Sequence, residues 1–293
     1  ACCGLVGLKP SRGRISPGPG LGESMLSTSG ALTRTVADTA HLLDVMAGYE
    51  IGDATWAPPP AEPFAVTAAR PPRPLRIALA TTAPFGVPVD PICLAATERA
   101  ARLLADLGHR VEPVQPPGWD WPQLRKLFLV LWSAGVSSMV RWGGQVRGRP
   151  ALPEDVERLT WALHQQGSAE TAARYVDAVT ALQQWARQQV AFFFADHILL
   201  LTPALARRPL PIGSINTEAA DPAAELDQAA GFTPFTAGWN LTGQPAISLP
   251  LYVGPDGLPA AVQLVGPPIS EGLLLSVAAQ LEAAHGWNRA MEP

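Results

Sequence analysis

Charged residues are scarce in this sequence of 293 residues, and lysine is almost absent. Only 16% of the residues are charged, the formal net charge is −4, and the sole lysines are Lys9 and Lys126. A protein that binds nucleic acid or an anionic membrane surface electrostatically needs clustered positive charge. The composition therefore argues against both kinds of partner.

Cysteine is also scarce, with only Cys2, Cys3 and Cys93 present. Three cysteines, two of them adjacent, do not make the disulfide framework of a small secreted protein. A reducing, cytoplasmic location is therefore predicted. Cys2 and Cys3 are expected to behave as small buried hydrophobic residues.

Long apolar runs are missing. The most apolar stretch, residues 191–201, is interrupted by Asp196 and His197, whereas a membrane-spanning helix needs about 20 consecutive apolar residues. The sequence opens with neither Met nor a charged-then-apolar leader, so no signal peptide is visible. No membrane partner is predicted.

Recognisable metal, phosphate and hydrolase motifs are missing as well. The histidines lie on separate predicted elements without metal-ligand spacing, so surface or capping roles are expected and no metal is predicted. These histidines are His41, His109, His164, His197 and His285. Asp196–His197 is the one acid–histidine dyad, and a structural role is favoured because no partner serine is predictable. No G-x-S-x-G nucleophile elbow is present.

The clearest folding signal is a strand–helix–strand pattern. Residues 75–80 (LRIALA) are predicted to form a buried strand, residues 91–107 repeat apolar side chains at helical spacing, and residues 109–114 (HRVEPV) are predicted to form a second strand. Two strands joined by a helix pair in parallel with a right-handed crossover. The sequence therefore predicts an α/β protein.

The remaining predicted elements come from caps, periodicity and turn signals. The first predicted helix is capped by Thr35 and runs to Met46, and a second covers 122–142. A helix capped by Ser168 and running to about 194 is followed by a strand over 198–201 and a long loop over 203–231. A short helix from Thr233, a hairpin of strands over 245–252 and 260–265, and a last helix capped by Ser270 come after this loop.

Several short segments resemble one family in order and spacing. Residues 1–16 (ACCGLVGLKPSRGRIS) and 30–38 (GALTRTVAD) resemble the second half of the amidase signature region. Residues 242–250 (TGQPAISLP) and 262–266 (VQLVG) resemble the C-terminal part of the same family. Each segment alone is weak, but jointly they identify the sequence as a C-terminal portion of an amidase signature protein. Residues 232–245 are more similar to bacterial amidases, including cyclic-oligoamide hydrolases, than to the glutamine amidotransferase subunit.

The resemblance implies a fold and a chemistry. It implies a single domain over residues 1–293, built as a mixed β-sheet flanked by helices on both sides (α/β/α). It also implies hydrolysis of a neutral carboxamide, linear or cyclic, with no metal or organic cofactor. Family members use a serine nucleophile, a second serine joined by a cis peptide bond, and a lysine base.

None of the residues of this sequence matches those three catalytic groups. In the family they precede the segment that matches Ala1, and Lys9 matches a later lysine without a proton-transfer role. The sequence is therefore expected to be N-terminally truncated and inactive by itself, with no catalytic residue of its own. The alternative is a non-catalytic binding or assembly module on an amidase scaffold, and homo-oligomerisation is left open in either case.

The chain is expected to contribute walls of a pocket for a small-molecule amide. Apolar and aromatic walls favour an uncharged ligand, because a charged group would be left unpaired there. The predicted substrate-binding residues are Cys3, Trp132, Thr202, Pro203, Trp239 and Asn240.

Overall fold

The structure, a computed structural model, describes residues 1–114, 123–195 and 198–287. The Asp196–His197 dyad and the predicted start of a helix at residue 122 lie outside these ranges. All statements below concern the described residues.

A mixed sheet of seven described strands forms the centre of the fold, in the order β2-β1-β6-β7-β5-β3-β4. Strand β3 runs parallel to β4 and β5, and the other neighbours pair antiparallel. The strands are β1 (Val6–Lys9), β2 (Leu32–Thr33), β3 (Arg76–Leu79), β4 (Arg110–Pro113), β5 (Leu199–Pro203), β6 (Ala246–Val253) and β7 (Pro259–Val265).

Helices cover both faces of this sheet. One face packs Ile247, Leu249 and Leu264 against α1, α2, α3 and α9, and the other packs Leu200 and Val265 against α6 and α8. No described helix is both long and apolar enough to cross a bilayer. The helices are α1 (Val36–Met46), α2 (Phe64–Ala68), α3 (Pro91–Asp106), α4 (Leu124–Arg147), α5 (Arg158–Ala169), α6 (Ala172–Ala195), α7 (Pro222–Phe232), α8 (Ala237–Thr242) and α9 (Glu271–His285). The predicted α/β/α fold class is confirmed.

Most predicted elements are present, but two local predictions were wrong. Ser168 lies inside α5, and α6 begins after Thr171, whose hydroxyl accepts a hydrogen bond from Arg174 N at 3.2 Å. The second half of the predicted loop over 203–231 is helix α7, which Asp221 caps by accepting from Ala223 N and Ala224 N. No residue of α7 is fully buried, so the sequence carries no apolar stripe to reveal this helix. Helix α8 likewise begins at Ala237 and not at Thr233.

His109 has a buried bridging role, so the expectation of a surface or capping role was wrong for this histidine. Leu75 N donates to His109 Nδ1 at 3.2 Å, and His109 Nε2 lies 2.9 Å from Gln280 Oε1. Because Nδ1 accepts, the ring proton is on Nε2 and is donated to Gln280. The imidazole therefore joins the start of β3 to helix α9.

A buried ion pair fastens the segment after β1 to α9. Arg14 Nε lies 3.2 Å from Glu271 Oε1, with the two side chains only 3% and 0% exposed. Ser11 N donates to the same carboxylate oxygen at 2.9 Å, and Ser11 Oγ accepts from Ile269 N at 2.8 Å. Breaking one side of such a pair typically costs about 3–5 kcal/mol, because the other charge stays buried.

Lys9 lies at the end of β1, and its Nζ donates to Pro10 O at 2.9 Å. Burial lowers the pKa of Lys9 to about 7; the charge of Arg12 lowers it further, and that of Glu271 opposes the shift. Desolvation by burial is therefore the main cause of the lowered pKa of Lys9.

Helices α4 and α5 make their closest approach at Gly167. A Cβ at this position would overlap the carbonyl oxygen of Ser133 and lie 2.8 Å from Ala134 N. Gly167→Ala should therefore separate the two helices and lower the free energy of unfolding by about 1–3 kcal/mol. Gly135→Ala on α4 is the control: nothing lies within 4 Å of its Cβ, so it should raise stability by about 0.5–1 kcal/mol. Urea denaturation measures both, and equal stability of Gly167→Ala and the unmodified chain would contradict the packing described.

Lys9 should also make stability depend on pH. The folded-state pKa of about 7 lies below the ordinary value of 10.5, so between these values the unfolded state binds more protons. The free energy of unfolding should then rise with pH across this window. Below the window Lys9 is charged in both states, and the full cost of burying its charge lowers the free energy of unfolding. Urea denaturation of the chain and of Lys9→Met, compared between about pH 6.5 and 9.5, isolates this contribution. The free energy of unfolding of the unmodified chain should increase relative to that of Lys9→Met as pH rises. A difference in free energy that does not change with pH would refute the lowered pKa of Lys9.

Candidate functional site

Two adjoining cavities lie on the side of the sheet covered by α4, α6 and α8. The larger is an open groove of about 1100 Å³ between residues 21–27 and α4, and the smaller, of about 520 Å³, lies between α4, α7 and α8. Phe128, Trp132 and Asn240 line both cavities. These three side chains therefore form the wall between the two spaces.

Trp132 and Phe128 belong to the same face of α4. They are four residues apart, and their rings meet edge to face with centroids 5.7 Å apart. Residues at this spacing are neighbours on a helix surface. Each ring supports the other, and both side chains line the two cavities.

Trp239 lies deeper, on α8, and lines only the smaller of these cavities. It is 3% exposed and packs edge to face on Phe193 of α6, with ring centroids 6.2 Å apart. Phe235, which precedes α8 and is 1% exposed, lines the same cavity. The structure thus brings together Trp132, Trp239 and Asn240, three of the residues predicted from the sequence.

Asn240 fastens α8 to the segment of residues 21–27. Its Nδ2 donates to Leu26 O. Arg12 Nη2 donates to the main-chain oxygens of Asn240, Leu241 and Met25, at 2.6, 3.0 and 3.0 Å. One guanidinium therefore joins α8 to the segment of residues 21–27, which is one wall of the larger groove. No local sequence pattern predicts this role of Arg12.

Thr202 and Pro203 are buried at the end of β5, behind the cavity walls. Thr202 Oγ1 donates to Pro203 O at 2.8 Å and accepts from Gln263 Nε2 at 3.1 Å. Neither residue is among the described side chains that line the two cavities. Thr202 and Pro203 therefore belong to the layer of buried residues behind the cavity walls.

Cys3 lies in the turn before β1. Cys2 and Cys3 are both exposed, so the expectation that they are buried was wrong. The reason is their position before the first strand, where neither face of the sheet covers them. Neither is among the described residues that line the two cavities.

The charged residues that line the smaller cavity form an ion pair, and a cluster of charges lies at the larger groove. Arg125 of α4 and Asp227 of α7, which both line the smaller cavity, form an ion pair across it. In the larger groove Asp155 is bound by Arg147 and Arg149, each at 2.6 Å. The hydrogen bonds from Arg149, from the Leu152 main chain and from Arg147 hold the pKa of Asp155 well below its usual range. The smaller cavity therefore presents little net charge to a ligand.

Several lining residues were not predicted as site residues. Phe128 and Trp185 were recognised only as apolar positions on helices, and both line the smaller cavity, as does Phe235. Apolar periodicity identifies the buried face of a helix, but it does not separate side chains that fill a core from those that face a cavity. The one sequence signal that could have identified these residues as cavity lining is their aromatic character.

Known proteins resemble this chain in sequence and in fold. The family model described as Amidase matches residues 1–275. The 6-aminohexanoate-cyclic-dimer hydrolase of Pseudomonas sp. (strain NK87) is 35% identical over 295 residues, covering 97% of this chain and 60% of the relative. The hydrolase of that name from Paenarthrobacter ureafaciens matches with the same identity and coverage.

A solved structure of 6-aminohexanoate cyclic dimer hydrolase complexed with substrate matches with a TM-score of 0.90 at 35% identity, covering 98% of this chain and 61% of that one. The chain thus spans about 60% of the length of the curated relatives it matches. Because the family model matches nearly all of its residues, from 1 to 275, the chain belongs to the amidase signature family.

Proposed function

We propose that this chain supplies the substrate-binding walls of an amidase that cleaves the C–N bond of a neutral carboxamide, linear or cyclic. The observation that carries the proposal is the smaller cavity, where Trp132, Trp239 and Asn240 meet and the two lining charges, Arg125 and Asp227, neutralise each other. Membership of the amidase family and the names of the hydrolase relatives support the reaction class.

The walls favour an uncharged ligand for an electrostatic reason. A charged group buried among aromatic side chains loses its hydration without gaining a partner, whereas a neutral amide loses far less. Apolar walls also exclude water, and polar groups that act on the amide are stronger in such surroundings. The role proposed for these residues is to bind, orient and desolvate the amide.

The reacting groups are proposed to lie outside these 293 residues. Amide hydrolysis requires a nucleophile beside a base, and donors aimed at the developing oxyanion. The resemblance assigns these roles to a serine, a cis-bonded serine and a lysine, none of which this sequence matches. Residues 1–293 are accordingly proposed to be the part of one amidase-signature domain that binds substrate. Cytoplasmic location belongs to the same proposal, and the free thiols of Cys2, Cys3 and Cys93 support it.

The chain by itself should therefore show no serine-type amidase activity. Loss of the nucleophile alone removes most of the rate of such an enzyme. Purified chain should be incubated with a fluorophosphonate probe and, separately, with small aryl amides. No serine should be labelled stoichiometrically, and turnover should not exceed that of a heat-killed control. Labelling or turnover above that control would refute this part of the proposal.

Binding without turnover makes the pocket accessible to equilibrium measurement. Trp132→Ala or Trp239→Ala should weaken binding of neutral aryl amides by roughly 1–3 kcal/mol and change their ranking. Carboxylate-bearing analogues should bind more weakly than neutral ones throughout. Titration calorimetry over a series of neutral and charged amides measures both effects.

Trp142→Ala provides the matched control for these two variants. Trp142 is on the same helix as Trp132 but is 57% exposed and is not among the described residues that line either cavity. Its removal should leave the affinities unchanged. If none of the three variants changes the ranking of amides, the substrate pocket is formed by other residues; if no amide binds at all, the proposed function fails.

A further inference from the structure

Gln263 of β7 is a buried polar residue on the side of the sheet that faces the cavities. It pairs in register with Thr202 of β5 and with Ser248 of β6. Directly opposed residues point to the same face of a sheet, so the three form a polar row. The next row along the strands, Leu200, Val265 and Ala246, is apolar and packs in the cluster that contains Phe235 and Trp239.

The side-chain amide of Gln263 makes two buried hydrogen bonds. Its Nε2 donates to Thr202 Oγ1 at 3.1 Å and to Phe235 O at 3.0 Å. Both N–H groups of the amide are therefore used, and the carbonyl acceptor of Phe235 fixes which way the amide faces. A polar group that is 5% exposed requires such partners, because an unpaired buried donor is costly.

These bonds connect the sheet to the wall of the smaller cavity. Phe235 lies in the turn between α7 and α8, and its ring lines that cavity together with Trp239, four residues further on. Gln263 of β7 donates to the main chain of this turn and to Thr202. Thr202 in turn donates to Pro203 O at the end of β5. The turn is thus tied to two adjacent strands of the sheet.

We propose that Gln263 is a positioning residue of the substrate site: it holds the Phe235 turn, and so sets the aromatic wall that contacts a neutral amide in the smaller cavity. This rests on the proposed function for the identity of the ligand. The positioning itself rests on the hydrogen bonds alone.

Gln244 offers a matched control within the chain. It is also a fully buried glutamine, and its Nε2 donates to Gly266 O at 2.7 Å, which joins the start of β6 to the residue after β7. It is not among the described residues that line the smaller cavity. Gln244→Met therefore removes a buried hydrogen bond of the same kind without releasing Phe235.

The experiment compares Gln263→Met, Gln263→Glu and Gln244→Met in the full chain. Each protein is labelled with 5-fluorotryptophan, and the ¹⁹F resonance of Trp239 is assigned with Trp239→Phe. Affinity for the neutral probe acetanilide and stability in urea are measured on the same samples. Gln263→Glu keeps the shape of the side chain, but it replaces two N–H donors by one O–H donor when protonated and by none as a carboxylate, so it cannot keep both bonds.

Both Gln263 variants should shift or broaden the Trp239 resonance and weaken acetanilide binding about tenfold. Gln244→Met should lose stability to a similar degree while leaving the resonance and the affinity within about twofold. Should Gln263→Met fail to fold, Gln263→Glu provides the comparison.

The proposal is overturned if the Gln263 and Gln244 variants move the Trp239 resonance equally, or if neither moves it. It is also overturned if neither Gln263 variant folds while Gln244→Met does, because Gln263 would then be required for folding generally. If the unmodified chain binds no acetanilide, the proposed function fails, and the ¹⁹F comparison still decides whether Gln263 positions the wall.

Discussion

The buried ion pair between Arg14 and Glu271 is the contact on which the arrangement of the site depends. It fixes the segment after β1 against α9, and Arg12, two residues earlier, then reaches three main-chain carbonyls in α8 and residues 21–27. A buried pair adds little net stability compared with apolar packing, but it tolerates the loss of neither partner. Helix α8 and residues 21–27 are therefore held by charge-assisted hydrogen bonds, whose geometry is more specific than apolar contact.

The site combines this polar framework with an apolar lining. Phe128 and Trp132 of α4, Trp239 of α8 and Phe235 of the turn before α8 line the smaller cavity, and the polar atoms that hold this turn lie one layer further in, on the sheet. Thr202 illustrates the division: it was predicted to touch substrate, yet its hydroxyl is used between Gln263 and Pro203. Such a division keeps hydrogen-bonding groups satisfied and leaves a neutral surface for the ligand.

The sequence predicted the fold well where the signal is local. The parallel pair β3–β4, the hairpin β6–β7 and the Thr35 cap follow from periodicity, turn residues and capping chemistry. It predicted the cavity less well, because the lining depends on how distant helices pack. Trp132 and Trp239 were found through aromatic content, whereas Arg12 and Gln263 act through main-chain carbonyls far away in sequence, which no local pattern reveals.

The strand order has a consequence for how the chain folds. Strand β1 lies between β2 and β6, and its register places Leu8 opposite Ile247, so one edge of β1 lacks its described partner strand until β6 has been synthesised. At a synthesis rate of about 5–20 residues per second, that interval is on the order of tens of seconds. Contacts between such distant segments also form slowly, because loop closure must precede them. An open strand edge is a template for pairing with other chains, so β1 is exposed to aggregation while the residues between β1 and β6 are synthesised.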